Sequence, residues 1–181
     1  MNKAYSQFKK MRKSVLITGT PGVGKTTLSK TLGNLGYYVW DLESVPNLFH
    51  AIDPSTGQQV ERNNEILSEV MNSDWICDAQ LLKAIVNCQR TDIAFYAGTA
   101  SNYAELIPLF THVVLMQVSA QTLRNRLSLR PRTDFGGVPE VRDWTISWKD
   151  WRENEMVSQG AIVLDAEPPV GEVARSLISL I

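Results

Sequence analysis

The sequence is poor in the residues that build metal centres and disulfide frameworks. Its 181 residues include two cysteines, Cys77 and Cys88, and two histidines, His50 and His112. None of the four has another at ligand spacing, which excludes a zinc site of the CxxC or CxxH kind, and two cysteines make no disulfide framework. The expectation is a chain that folds on its own apolar core in a reducing, cytoplasmic setting. Long apolar runs are missing too. The longest, Ile93 to Ala97, has five residues, far short of the ~20 of a membrane helix or the ~7–15 of a secretory signal. An excess of one charge is also lacking. Eighteen Lys+Arg face 19 Asp+Glu, for a net charge of -1, so no overall basic field draws the chain to nucleic acid or anionic lipid. Neither is an expected partner.

What is present is a rhythm. A basic lead-in over residues 1–13 holds Lys3, Lys9, Lys10, Arg12 and Lys13, with Met11 an alternative start to Met1. We read it as a solvated approach to the first strand rather than a targeting or nucleic-acid arm, because it is short and lacks amphipathic period. From residue 14 to 181, short apolar runs alternate with helical patterns, as in βαβ units of a single α/β domain. Strands are expected at 14–18, 37–41, 92–97, 112–118 and 161–165, each too continuously apolar to have one wet face, which implies a parallel sheet covered by helices. Helices are expected at 25–35, 63–72, 75–89, 103–110, 120–130, 139–157 and from 170 on, with Gly36 and Gly160 as C-terminal caps and Ser119 as an N-cap. Residues 53–59 and 131–139 read as turn-rich loops and candidate flaps.

The first strand runs into Gly19-Thr20-Pro21-Gly22-Val23-Gly24-Lys25-Thr26-Thr27, which matches GxxxxGK[ST] at every fixed position and is followed by a helix. Gly22 and Gly24 allow backbone N–H groups, Val23 among them, to point inward around a phosphate, and the helix aims its positive end at the same place. Lys25 adds a cation at the β- and γ-phosphates, Thr26 a hydroxyl for Mg²⁺, and Thr27 a hydrogen bond to the α-phosphate. A dinucleotide fingerprint fails at Thr27, where its third glycine belongs.

Four arginines, Arg124, Arg126, Arg130 and Arg132, fall within nine residues, and no acid occurs from Leu106 to Thr133. On a helix, Arg126 and Arg130 share one flank of the Leu123/Leu127 stripe and can face a cleft. The alternative is a solvated basic helix end favoured by the dipole. Together, GTPGVGKTT, LRNRLSLRPR and the late strand IVLDA resemble the adenylate-kinase and shikimate-kinase-like branch of P-loop small-molecule kinases, over essentially residues 14–181.

That resemblance implies a three-layer P-loop fold with a five-stranded parallel sheet in the order 2-3-1-4-5. It implies that Arg126 stacks on the nucleotide base, that Arg130 begins a lid near 131–139 with Arg132 inside it, and that the loop at Asp165 and Ala166 lies by the adenine. Asp41 and Glu43 end the second strand, where parallel sheets line their ligand crevice. The family has DxD there; with DxE, Asp41 is expected to serve the metal or act as base and Glu43 to contact the acceptor, unless Glu43 merely starts a helix. Gly98 matches the family glycine beside the acceptor. Adenylate kinases have an acid before that glycine and an arginine three residues after it, where this chain has Ala97 and Ser101. Arg62 and Arg90 remain as acceptor-phosphate ligands, and Ser101 and Asn102 as hydrogen-bonding groups for a neutral acceptor. Trp144, Trp148 and Trp151, at i, i+4, i+7, read as core packing, with a pocket-lining role for one indole as the alternative.

The expected function is transfer of the γ-phosphoryl of Mg·ATP to a small-molecule acceptor, a nucleoside or nucleotide by preference, by a monomer or homodimer. Lys25, Arg126, Arg130 and Arg132 would supply positive charge. The rivals are a P-loop ATPase, since GTPGVGKT also resembles the cradle of AAA-type motors, and a regulatory nucleotide-binding protein without turnover. Against the motor, no strand ends in an apolar run followed by Asp-Glu; a GTP switch would need an NKxD-type loop, which is absent.

Overall fold

A computed structural model describes residues 12–181; the basic lead-in up to residue 11 and both candidate starts lie outside the described residues. Strand β1 (Lys13–Thr18) leads through the glycine loop into α1 (Lys25–Asn34) and β2 (Tyr38–Asp41), which ends in a short 3₁₀ turn (Leu42–Ser44). Next come β3 (Phe49–Ile52), β4 (Gln59–Val60), α2 (Leu67–Met71), β5 (Asp74–Cys77) and α3 (Ala79–Asn87). The chain then returns through β6 (Ile93–Ala97), α4 (Tyr103–Leu106), β7 (His112–Gln117), α5 (Ala120–Ser128), α6 (Pro139–Ser158), β8 (Ile162–Asp165) and α7 (Val170–Leu180).

The main sheet is parallel with order β2-β6-β1-β7-β8. Renumbered over its own five strands, this is the expected 2-3-1-4-5. Alternation along the strands explains the three layers. Val15, Ile17, Phe95, Val114 and Met116 face α1, α5 and α7, whereas Leu16, Ala94, Tyr96, Val113 and Leu115 face α3, α4 and α6. Central strands buried on both faces therefore read as unbroken apolar runs. The edge strands depart from that expectation: Tyr38 of β2 and Val163 of β8 are 47% and 45% exposed, because an edge strand has a neighbour on one side only.

A second, antiparallel sheet of order β4-β3-β5 was not legible in the sequence. Of residues 53–59, expected as a loop, 53–58 form the turn of the β3–β4 hairpin and Gln59 begins β4, and Asp53 accepts from the backbone N–H and hydroxyl of Ser55. The helix expected at 75–89 starts only at Ala79. Residues 74–77 pair with β3, and Asp78 caps α3 by accepting from the N–H groups of Gln80 and Leu81 at 2.9 Å. Ser119 caps α5 as expected, accepting from Thr122 N–H at 3.1 Å, and Gly36 and Gly160 hold the positive φ that helix ends require.

Candidate active site

The carboxyl ends of the central strands open onto the glycine loop. Gly24 takes the left-handed conformation (φ 107°, ψ 19°) as the N-cap of α1 and offers no side-chain acceptor, so the first N–H groups of the helix are left for an anion. Gly22 (φ +104°) is needed for space as well: a Cβ there would stand 2.9 Å from Leu123 and Leu127 of α5. Lys25 is buried and its ammonium donates to Gly19 O at 3.0 Å across the loop. Burial pushes that ammonium below its ordinary range, Arg130 and Arg152 add to the shift, and Glu43 and Asp41 oppose it.

The loop lines a cavity of about 1020 Å³. Of the residues picked out from the sequence, Gly22, Val23, Gly24, Lys25, Thr26 and Thr27 line it, as do Glu43, Ser101, Arg126, Arg130 and Ala166. Arg126 spans the cleft between the glycine loop and the β8–α7 loop, donating to Val23 O at 2.7 Å and Ala166 O at 3.1 Å. The latter loop is tied to the start of α5 by Glu167, which accepts from Ser119 N–H and from the Thr122 hydroxyl. Arg130 donates to Phe135 O at 2.8 Å and so braces residues 131–139.

Other expected residues lie outside the cavity lining. Asp41 sits at the end of β2, near enough to Lys25 to act on its charge. Gly98 packs under Leu42 and Phe49, where a Cβ would meet Leu42 at 3.1 Å. The Asn102 amide is spent on the backbone of Cys77, accepting from its N–H at 3.1 Å and donating to its carbonyl at 3.0 Å. Ser101 does line the cavity, but its Oγ is similarly engaged, accepting from Trp75 N–H at 3.2 Å. Arg132 pairs with Glu65 at 3.2 Å, and Asp165 accepts from Glu167 N–H within its own loop.

Part of the cavity lining is aromatic. Trp75 stacks on Phe49 (5.8 Å, 12°), and Arg62 lies over the rings of both Trp75 and Phe135. Trp144, Trp148 and Trp151 all line the cavity rather than only packing in the core, and Trp151 is 66% exposed. The Trp148 indole N–H is buried without a hydrogen-bond partner. Arg152, which sequence reasoning missed, lies over Tyr103 and Trp148 and donates to Ala100 O. Arg90, the other sequence candidate, is not in the lining.

A buried polar chain joins α6 to the glycine loop. Thr20 Oγ1 donates to Glu153 at 3.2 Å, and the same carboxylate accepts from Lys149 Nζ at 2.8 Å.

With this geometry in view, comparison with known proteins is informative. The chain is similar in fold to a shikimate kinase from Bacteroides thetaiotaomicron (TM-score 0.55, 17% identity, 93% of this chain and 97% of that one). It is also similar to a gluconokinase from Sinorhizobium meliloti 1021 (TM-score 0.52, 14% identity, 93% and 91%). A deoxyadenosine kinase from M. mycoides with bound dATP gives a TM-score of 0.50 at 16% identity, over 92% and 98% of the two chains. No curated protein matches it in sequence. A family model described as AAA domain matches residues 15–136, from β1 through the glycine loop to the arginine-rich segment after α5. The chain therefore belongs to the AAA domain family of P-loop proteins.

Proposed function

We propose that this protein is a small-molecule kinase that transfers the γ-phosphoryl of Mg·ATP to a nucleoside, a nucleotide or another hydroxyl-bearing metabolite. The observation that carries the reading is continuity: the phosphate cradle at Gly22 to Thr27 and the aromatic side chains of Trp75 and Trp148 line one cavity. A donor and an acceptor held in that cavity would meet at Lys25. Kinase relatives of the same fold support this reading, and the acceptor is our own inference.

The donor phosphates are received by the N–H groups that start α1 and by Lys25, while Arg130 faces the same charge from the start of residues 131–139, the stretch just after it, which we assign as the lid. Arg126, held by two backbone carbonyls, presents the face of its guanidinium to the base. Oxygen donors suited to Mg²⁺ are at hand in the Thr26 hydroxyl, with Asp41 and Glu43 close to Lys25. No cluster of three or more acidic, histidine or cysteine side chains exists among the described residues. That fits an ion held mainly by phosphate oxygens rather than by a protein cage. When bound, Mg²⁺ would neutralise charge on the transferring phosphoryl. Glu43, exposed and lining the cavity, would contact the acceptor, with Asp41 at the end of β2 to serve the metal or act as base. The AAA domain description also covers acceptor-free ATPases. Here β6 ends Phe95-Tyr96-Ala97 and is followed by Gly98, with no carboxylate there to activate water.

The test is ADP release from Mg·ATP with and without nucleosides, nucleoside monophosphates and small hydroxy acids, with Lys25→Ala beside it. Stimulation by one acceptor class, lost in Lys25→Ala, is expected; equal release with and without every acceptor overturns the reading.

A further inference from the structure

The glycine loop has to be held in one shape before a phosphate arrives. Gly19, Gly22 and Gly24 all take positive φ, and a run so rich in glycine loses much conformational entropy when it is fixed. Among the described residues, three side-chain hydrogen bonds hold residues 19–24. Lys25 donates to Gly19 O at 3.0 Å, Arg126 donates to Val23 O at 2.7 Å, and the Thr20 hydroxyl donates to Glu153 of α6 at 3.2 Å. The first two use charges that a donor nucleotide would itself engage. The third does not: Thr20, Lys149 and Glu153 are buried and none of them lines the cavity, so a ligand there leaves this contact in place.

Thr20 is also where the loop makes its first turn. Its carbonyl accepts from Val23 N–H at 3.2 Å, closing a turn over residues 20–23. It follows Gly19, where a Cβ would stand 2.6 Å from Met116 O. Fixing the Thr20 side chain therefore fixes the start of the path to Gly22, Gly24 and the free N–H groups of α1. Behind it, the Glu153 carboxylate accepts from Lys149, one helical turn earlier, at 2.8 Å. Arg152, beside Glu153, is near enough to Lys25 to act on its charge, so this part of α6 lies along the cradle.

Stability does not account for the buried pair. Apolar side chains of similar volume often replace a buried lysine and glutamate without loss, because desolvation offsets the attraction. What an apolar pair cannot do is accept the Thr20 hydroxyl. Burial raises the Glu153 carboxyl, and the hydrogen bonds from Lys149 and Thr20 act against that rise. Lys149 also neutralises a carboxylate that would otherwise repel an anion in the cradle.

We infer that Glu153 is a positioning residue for the donor phosphates: through the Thr20 hydroxyl, and with its charge balanced by Lys149, it presets the glycine loop. This rests on the donor half of the kinase reading and is independent of the acceptor.

The test separates positioning from packing. Binding of a non-hydrolysable ATP analogue with Mg²⁺ is measured by calorimetry for the parent, Thr20→Val, Thr20→Ser and Lys149→Met/Glu153→Leu, with urea unfolding of each. The double variant should unfold near the parent yet bind the analogue about tenfold more weakly, the scale of one hydrogen bond to a charged group. Thr20→Val should weaken binding to the same degree, whereas Thr20→Ser, which keeps the hydroxyl, should bind like the parent. A purely structural role would restore binding together with stability. The inference is overturned if the stable double variant or Thr20→Val binds as tightly as the parent, or if Thr20→Ser is as weak as Thr20→Val. Should the double variant not fold, the two Thr20 variants decide alone. A parent that does not bind the analogue overturns this inference and the kinase reading together. ADP assays tell the two apart otherwise. Binding that depends on the Thr20 hydroxyl, in a protein that releases ADP equally with and without every acceptor, keeps this inference and rejects the kinase. Acceptor-dependent release with binding indifferent to Thr20→Val does the reverse.

Discussion

Replacing Lys149 with Met tests how α6 is joined to the phosphate cradle. Lys149 and Glu153 are 6% and 4% exposed, one turn apart, and their charged groups meet at 2.8 Å with the Thr20 hydroxyl on the other carboxylate oxygen. Burial alone would lower the Lys149 ammonium; the Glu153 carboxylate, aided by Asp150, outweighs it and moves the group upward. Met fills a similar volume but strands Glu153, and breaking a buried pair from one side costs about 3–5 kcal/mol. For a chain of this size that is a fall in Tm of roughly 6–20 °C. Burial already pushes the Glu153 carboxyl above its ordinary 4.5, and loss of the lysine pushes it further. The folded variant then holds a proton that the unfolded chain has released, so its stability falls as pH rises from about 4.5 through the raised folded value. The deficit against the parent should therefore shrink on acidification. The assay is urea unfolding of parent and variant at pH 5 and pH 8, with the double variant Lys149→Met/Glu153→Leu expected to recover most of the loss. A loss below about 1 kcal/mol, the scale of an exposed pair, or an equal loss at both pH values would refute the reasoning.

Four further outcomes follow from the same geometry. Lys25→Ala should fold and lose turnover by about 10³-fold or more, since the transition-state charge loses its nearest cation; steady-state ADP release measures it. Donor affinity should begin to fall at a pH below the 10.5 of an ordinary lysine, because burial lowers the Lys25 ammonium and its neutral form attracts no phosphate; calorimetric titration between pH 7 and 10 reads this. Arg126→Ala should weaken ATP binding about 10-fold or more and cost about 1–3 kcal/mol, as it removes both the base-facing guanidinium and two bonds to carbonyl oxygens; unchanged nucleotide affinity removes its role. Cys88 is exposed, whereas burial, with Asp78 and Glu105, pushes the Cys77 thiol up to about 12. An alkylating reagent at pH 8 should label Cys88 in the native protein and reach Cys77 only after unfolding.

The parts legible in the sequence are those whose local chemistry admits one outcome. GxxxxGK[ST] after an apolar strand needs its glycines at fixed places, and β1, β6 and β7 are buried on both faces, so their apolar runs stand out. The three-stranded sheet was missed because β4 has only two residues, and Trp75-Ile76-Cys77 continues without a break into the helical period of α3. Helix α6 misled for a different reason. Its buried stripe is Val141, Thr145, Lys149, Glu153 and Met156, with polar residues at the centre. The apolar pattern at Trp144, Trp148 and Trp151 therefore looked like the core face, when those indoles line the cavity. A buried lysine and glutamate at i, i+4 are indistinguishable in sequence from a solvated pair. Arg152 was hidden by the same misreading, since it stands one turn after Trp148 on the flank of the stripe taken to be the core face.

The central claim is that the γ-phosphoryl passes to a small molecule and not to water. The most direct measurement follows the fate of that group in ¹⁸O-enriched water, with Mg·ATP and a pool of nucleosides, nucleoside monophosphates and hydroxy acids. The account expects the phosphoryl to be recovered as an ester or anhydride on one acceptor, carrying no solvent oxygen, with ADP formed in equal amount. Recovery of all of it as inorganic phosphate bearing one solvent oxygen, at the same rate with and without the pool, would contradict it.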